Sequence, residues 1–302
     1  MSATADRPDD QATEQVADHA AAAAASIAEP GPFGPLLETR LRLVTWNIWW
    51  RFGPWEARLP AVIETLRRLD PDVVCLQEVW SDAATGATSA AIVADALGAD
   101  HVHASHLEID GVGMGNAVVS RWPIAGHEVA GLPPGDPTSD EGRLVLRADI
   151  DGPRGSLQVF TTHLNWRLDH SHIRQDQVRE LCRFISTSPT REFPAVLCGD
   201  FNADPVADEI RMLTGRAAVP EPPLVFFDAW DHAGEGDGFT WSNANPYAVK
   251  DLEHDRRIDF VFAGFPKAGG AGNVTRAELV GTEAIDGVVP SDHYGVLAEL
   301  RY

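Results

Sequence analysis

The sequence predicts one α/β domain with layered sheets, and three observations carry that expectation. From residue 41 to residue 302, apolar segments of strand length alternate with segments of helical period. No linker or compositional break divides that stretch. The chain of 302 residues is 44% hydrophobic and 23% charged, a balance that buries a core and is far from that of disordered chains. Three cysteines cannot staple a chain of this length, and Cys75 and Cys198 sit in the apolar runs VVCLQ and AVLCG, where cysteine behaves as a small buried hydrophobe.

Residues 1–38 are acidic and alanine-rich, with Ala20 to Ala25 in a row before EPGPFGP; they are expected to form a disordered tail, and residues 39–302 the folded domain. LRLVTWN (41–47) has the composition of a strand. LPAVIETLRRL (59–69) places Leu59, Val62, Ile63 and Leu66 on one helical face before Pro71 stops it, and DVVCLQEV (72–79) is again strand-like, so the domain opens β-α-β. SAAIVADALG (89–98) reads as a helix. Strands are then expected at 115–124, 143–150 and 156–164, a helix at 172–185 with Val178, Leu181, Cys182 and Ile185 inward and Ser171 or Asp169 as its cap, and strands at 194–201, 257–263 and 295–300.

The formal charge of −21 argues against a surface built to coat nucleic acid. A phosphate-bearing substrate stays compatible with it, because a bound cation reverses the local sign. No apolar run approaches the roughly 20 residues that cross a bilayer, and the first residues are acidic where a secretory peptide is basic. The expectation is a soluble, cytoplasmic protein, monomeric by default.

Chemistry is expected where polar residues interrupt apolar strand ends. Asn47, Glu78, His163, Asp200, Asn202, Asp259, Asp292 and His293 all stand in that context. One such residue is commonly a turn or cap; so many together outweigh that interpretation. Carboxylates, amides and two histidines without a thiolate suit a hard cation, Mg2+ or Mn2+, and a site of that kind would hydrolyse a phosphoester. GVGMG (111–115) leads into a strand and so reads as a flexible turn, not a nucleotide loop. His170 and His172 lie in a polar loop where solvated histidines are common, and Ser291 stands too near His293 in sequence to form a nucleophile–base pair with it.

TWNIWW, CLQEVW, TTHLNW, CGDFNADP, RRIDFVF and SDHYGV, in this order from residue 45 to residue 296, resemble the endonuclease/exonuclease/phosphatase superfamily of metal-dependent phosphoesterases. The resemblance implies a four-layered α/β sandwich, two packed mixed sheets flanked by helices, with the site at its top. It implies Glu78 as principal metal ligand with Asn47 and Asp292 beside it. Asp200 and Asn202 would orient water and phosphate, His293 would touch the scissile phosphate backed by Asp259, and His163 would bind a phosphate oxygen. Whether Asp200 or His293 takes the proton is left open by the sequence. Candidate substrate contacts are Arg143, Asn165, Trp166, Arg167, Asn245 and Arg257. Trp49, Trp50, Trp55, Trp80, Trp166 and Trp241 either form an aromatic rim or pack loops, and Arg51 and Arg256 lie in the same loops. GDFNADP and HDRRIDFVF depart from inositol-polyphosphate phosphatases, and LQEVW and SDHYG from abasic-site endonucleases. The expected function is therefore that of a metal-dependent phosphodiesterase or phosphatase with its substrate open. A nuclease acting on DNA or RNA is the alternative, and a non-catalytic binding relative the alternative of another class.

Overall fold

The computed structural model describes residues 31–135 and 142–302. Of the expected tail, positions 1–30 lie outside the described residues; the chain then turns at 31–34, the Gly34 N–H donating to the Gly31 carbonyl, and the Leu37 N–H donates to the Gly269 carbonyl.

Strand β1 (Arg40–Asn47), helix α1 (Trp55–Leu69) and β2 (Val73–Asp82) form the expected β-α-β unit, with β1 and β2 parallel and Asn47 opposite Gln77. Helix α2 (Ser89–Leu97) is capped by Thr88 and followed by the hairpin β3 (Asp100–Ile109) and β4 (Val112–Ser120). Strands β5 (Ile124–Leu132), β6 (Arg143–Gly152) and β7 (Gly155–His163) form a meander. Helix α3 (Ser171–Thr187) then crosses to β8 (Val196–Asp200), parallel to β7. The short α4 (Asp208–Leu213), β9 (Phe226–Asp228) and α5 (Ala229–Ala233) precede β10 (Asp259–Gly264), β11 (Val274–Val280) and β12 (Gly295–Arg301).

The strands make two mixed six-stranded sheets, ordered β11-β12-β1-β2-β4-β3 and β5-β6-β7-β8-β10-β9. Alternation along each strand divides the core. Leu43, Cys75, Val118, Leu146, Val159 and Cys198 face the other sheet. Val44, Leu76 and Val119 face outward under Val62, Leu66 and Val93 of the first two helices, and Phe160, Phe260 and Phe262 lie under Val178 and Leu181 of α3. Helices, sheet, sheet, helices is the four-layered sandwich.

Topology sends the polar strand ends to one edge. Asn47 ends β1, and β12 runs antiparallel to β1 with Val296 opposite Thr45, so Asp292 and His293 arrive beside Asn47. His163 ends β7 opposite Asp200 of β8, and Asp259 of β10 lies opposite Asp200 on the other side. Beneath them Gln77, buried between the sheets, donates from Nε2 to Thr161 Oγ1 of the second sheet at 3.0 Å and to Thr45 Oγ1 at 3.1 Å.

Several expected elements differ. The strand expected at 115–124 is two, β4 ending at Ser120 and β5 starting at Ile124, because the chain turns at Arg121–Pro123 into the other sheet. GVGMG is not a flexible turn: only Asp110 (φ 52°) and Gly111 (φ 80°) turn, and Gly113 and Gly115 lie inside β4. A Cβ at Gly115 would run into the Ala104 backbone of β3, so glycine is required by close strand approach. Helix α1 starts four residues earlier than its apolar face announces. Strands β3, β9 and β11, and β5 beyond Ile124, were not expected; β3, DHVHASHLEI, is a polar edge strand with no apolar run to mark it. Among the described residues no helix is long and apolar enough to cross a membrane.

Candidate active site

Two β-bulges aim side chains into one cavity. The β2–β4 register shifts between Leu76 and Val79, and Glu78 there adopts φ 53°, which turns its carboxylate out of the strand's alternation toward the sandwich edge. On the other side of β4, the β3–β4 register shifts between Ser105 and Leu107 and leaves His106 as the extra residue. Between them and the second sheet opens a cavity of about 620 Å3, lined by Glu78, His106, Arg143, His163, Asp200, Asn202, Asp292 and His293, with Trp49, Trp166 and Trp241 at its wall.

Hydrogen bonds join these groups. Asn47 Nδ2 donates to Glu78 Oε1 at 3.0 Å and to Asp200 Oδ2 at 3.1 Å, while Asn47 Oδ1 accepts the Trp49 N–H. Asp200 Oδ2 also lies 3.5 Å from His163 Nε2 and 3.8 Å from His293 Nε2, and Asp200 Oδ1 accepts the Asn202 N–H at 2.9 Å. His293 Nδ1 and Asp259 Oδ2 are 2.9 Å apart. Asn202, at φ 50°, donates from Nδ2 to the Leu164 carbonyl. Ser291 Oγ donates to the Asn47 carbonyl at 2.7 Å, tying the Asp292–His293 segment to the end of β1.

Charge is distributed unevenly. Burial works against a charged His293, but Asp259 and then Asp200 outweigh it and hold its pKa well above the ordinary value. Burial, then the Arg143 charge, hold His163 well below the ordinary value and neutral. Burial and the Asp259 charge push the Asp200 carboxyl up to about 6 against the pull of His293 and of the Asn47 and Asn202 hydrogen bonds. Burial pushes Asp292 up to about 7, with His293 and Arg58 pulling down and Glu78 pushing up. Glu78 and Asp292 suit a hard cation: Glu78 Oε2 is buried without a hydrogen-bond partner among the described residues, and the Glu78 charge helps to raise Asp292, so a counter-charge would favour both carboxylates. Asp200, Asp259 and His293 also bring ligand atoms within 4.8 Å of one another, and within that cluster His293 Nδ1 lies 2.9 Å from Asp259 Oδ2.

The eight strand-end residues named from sequence therefore converge. The substrate candidates divide. Arg143 and Trp166 line the cavity. Arg167 stacks over the Trp166 ring, 5.3 Å from its centroid. Asn165 is buried and caps its own loop, accepting the Arg167 N–H, and Asn245 donates to the Ser291 carbonyl, so both shape loops instead of lining the cavity. Arg257 points away, paired with Asp228 and Asp231 at 2.7 Å each; its neighbour Arg256 lines the cavity, paired with Glu253. Of the tryptophans, Trp49, Trp166 and Trp241 face the cavity, Trp241 edge-on to His293, whereas Trp55 and Trp80 pack together under Arg51 and Trp50 donates to the Gly113 carbonyl.

Sequence reasoning missed His106 and Arg58. Arg58 of α1 is fully buried and donates to the carbonyls of Ile48, Trp49, Trp50, Phe52 and Pro290, joining the loop after Asn47 to the segment before Asp292. The arginine of a surface helix ordinarily reads as solvated, and nothing in the letters marks this one.

The profile described as the Endonuclease/Exonuclease/phosphatase family matches residues 44–293. The chain is 27% identical to protein angel of Drosophila melanogaster over 64% of its own length and 57% of that protein's. It is 28% identical to sphingomyelin phosphodiesterase 5 of Danio rerio over 55% of its length and 34% of that protein's. It thus spans less than two thirds of either relative. D. rerio TDP2, solved with a single-strand DNA product, superposes with a TM-score of 0.67 at 22% identity, over 88% of this chain and 100% of that one.

Proposed function

Because the chain belongs to the endonuclease/exonuclease/phosphatase family, whose members are metal-dependent phosphoesterases or nucleases, we propose that its cavity hydrolyses a phosphoester with Mg2+ or Mn2+ held by Glu78 and Asp292. The observation that carries this is the placement, on one cavity floor, of a carboxyl raised to about 6, Asp200, beside a protonated imidazole, His293, that is backed by Asp259. When bound, the cation would neutralise charge on the phosphoryl oxygens. Asn47, its Oδ1 held by the Trp49 N–H, would keep Glu78 and Asp200 in place through Nδ2.

Asp200 accepts the proton of the attacking water, its pKa lying near working pH. His293 donates from Nε2 to a phosphoryl oxygen, and Asp259 on Nδ1 holds the ring in place and its charge in balance. Neutral His163 offers a hydrogen bond to another oxygen, Asn202 positions Asp200 through its backbone N–H, and Arg143 supplies a fixed positive charge on the same wall. A long polyanion is disfavoured, because Asp251 and Glu253 line the same mouth and the whole chain carries −21. The name of the sphingomyelin phosphodiesterase relative supports a diester. The cytoplasm is the proposed location, supported by the unbridged Cys75, Cys182 and Cys198.

The test is a screen of phosphomonoesters, phosphodiesters, phospholipids and oligonucleotides with Mg2+, Mn2+ or EDTA. Turnover should require a cation, and His293→Ala should lower it by about 10²–10⁴ while keeping the parent's circular dichroism. A folded His293→Ala that turns over at the parent rate refutes the assignment.

A further inference from the structure

We propose that His106 is a substrate-binding residue, its imidazole hydrogen-bonding a phosphoryl oxygen of the bound ester beside Arg143 and across the cavity from Glu78. The proposal rests on the phosphoester interpretation of the cavity.

Three independent features support it. The first is the bulge: β3 departs from its ladder with β4 at this one residue, and β2, on the other side of β4, departs at Glu78. Bulges recur beside active sites, where they re-aim a side chain. Here two of them, at the same level of one central strand, send a carboxylate and an imidazole into one cavity. Gly115 lies opposite both irregular stretches, paired with Val79 on one side and Ser105 on the other, and its missing Cβ lets β3 come close enough to place His106.

The second is lack of local use. Nδ1 and Nε2 of His106 are both buried and neither has a hydrogen-bond partner among the described residues. A buried polar atom left unsatisfied costs about as much as a lost hydrogen bond, so leucine would be the more stable choice here if packing alone mattered. Groups that break local rules in this way concentrate at functional sites. The third is the surroundings. Burial, then the Arg143 charge, lower the imidazole to about 3, so the ring is neutral and offers one N–H. Arg143 acts on His163 in the same way, so His106, Arg143 and His163 are neighbours in one cavity lining that also holds Glu78, Asp200 and Asp292. Donors and a positive charge in the same cavity as carboxylates that would hold a cation suit the oxygens of a phosphoryl group.

The experiment titrates inorganic phosphate into the full chain in Mg2+ by calorimetry, for the parent, His106→Leu, His106→Gln and His163→Leu, with thermal unfolding of each. His106→Leu should weaken phosphate binding about tenfold, equivalent to about 1.4 kcal/mol, and raise Tm by about 2–4 °C because two unsatisfied nitrogens are removed. His106→Gln should keep the affinity within about threefold, since one amide N–H replaces the ring N–H. Unchanged affinity in His106→Leu overturns the proposal, as does an equal loss of affinity and Tm in both His106 variants, which would make the residue structural. Phosphate binding that weakens in His163→Leu but not in His106→Leu sinks His106 alone. A parent that binds no phosphate and cleaves no ester sinks the phosphoester interpretation, and this proposal with it.

Discussion

Replacing Arg58 by methionine should uncouple the two loops that carry the candidate metal ligands. Nη1 donates to the Ile48 and Pro290 carbonyls at 2.9 and 3.0 Å, and Nη2 to those of Trp49, Phe52 and Trp50 at 2.8, 2.8 and 3.3 Å. Two amino groups carry four hydrogens, so the longest contact shares one. Each bond contributes about 1 kcal/mol net, and each carbonyl left buried and unpaired costs a comparable amount. Against this stands desolvation of the guanidinium, the main reason its pKa is lowered. The balance places the loss at about 3–4 kcal/mol. Urea unfolding of the cation-free protein measures it. Arg58→Lys keeps the charge but presents three donors from one point, so it should recover about half the loss. A methionine variant that loses less than about 1 kcal/mol, or a lysine variant as stable as the parent, would show that the carbonyl cage is not what holds these loops.

Two further outcomes concern protonation. In Asp259→Asn the His293 titration midpoint, followed by NMR of the ring nitrogens in EDTA, should fall from its raised parental value; a parental His293 that titrates near 6.5 contradicts the ion pair. The sign for stability follows: the His293 contribution is complete below about 6.5 and is lost as pH rises through the raised folded value. For Asp292 the folded carboxyl is raised to about 7, so the metal-free folded state binds the extra proton and loses stability as pH rises from about 4 to about 7. Asp292→Asn has no such proton, and its advantage over the parent in EDTA should widen across that range by more than about 1.4 kcal/mol; a constant difference would refute a raised Asp292.

Most of the candidate site residues were legible because they interrupt apolar strand ends, and strand ends share one edge of a sandwich. That logic reaches Asn47, His163, Asp200, Asp259 and His293 without needing to know which strand neighbours which, whereas Glu78 lies inside β2 and owes its aim to the bulge. It fails for His106, whose strand has no apolar run, so that one more histidine after His101 and His103 interrupts nothing. Its position is set by a bulge, and a bulge depends on the partner strand's register. Adjacency to a motif was a poor guide to substrate contacts. Arg256 and Arg257 are neighbours on an extended segment, so one faces the cavity and the other its ion pairs with Asp228 and Asp231, a choice of parity that no composition reveals. Asn165 and Asn245 are the kind of residue that closes loops on their own backbone, and both do so.

Backbone strain gives the same location by a separate route. Among the described non-glycine residues with positive φ, Asp70, Asp110 and Asp286 belong to the type that tolerates the left-handed region, and Asp70 and Asp110 sit at a helix end and a hairpin tip. Trp49, Trp50, Glu78 and Leu252 do not belong to it, and each costs about 1–2 kcal/mol there. Trp49 and Glu78 line the cavity, Trp50 lies next to Trp49, and Leu252 stands between the lining residues Asp251 and Glu253. Such conformations persist only where surrounding bonds over-determine them. Arg58 supplies those bonds for Trp49 and Trp50, and the Trp50 N–H to the Glu78 carbonyl ties the loop to the β2 bulge. The buried arginine and the strained loop are thus one device. Without the carbonyl cage the two tryptophans would relax to ordinary φ, Asn47 would lose the Trp49 N–H that fixes its amide, and the link between Glu78 and Asp200 would go with it.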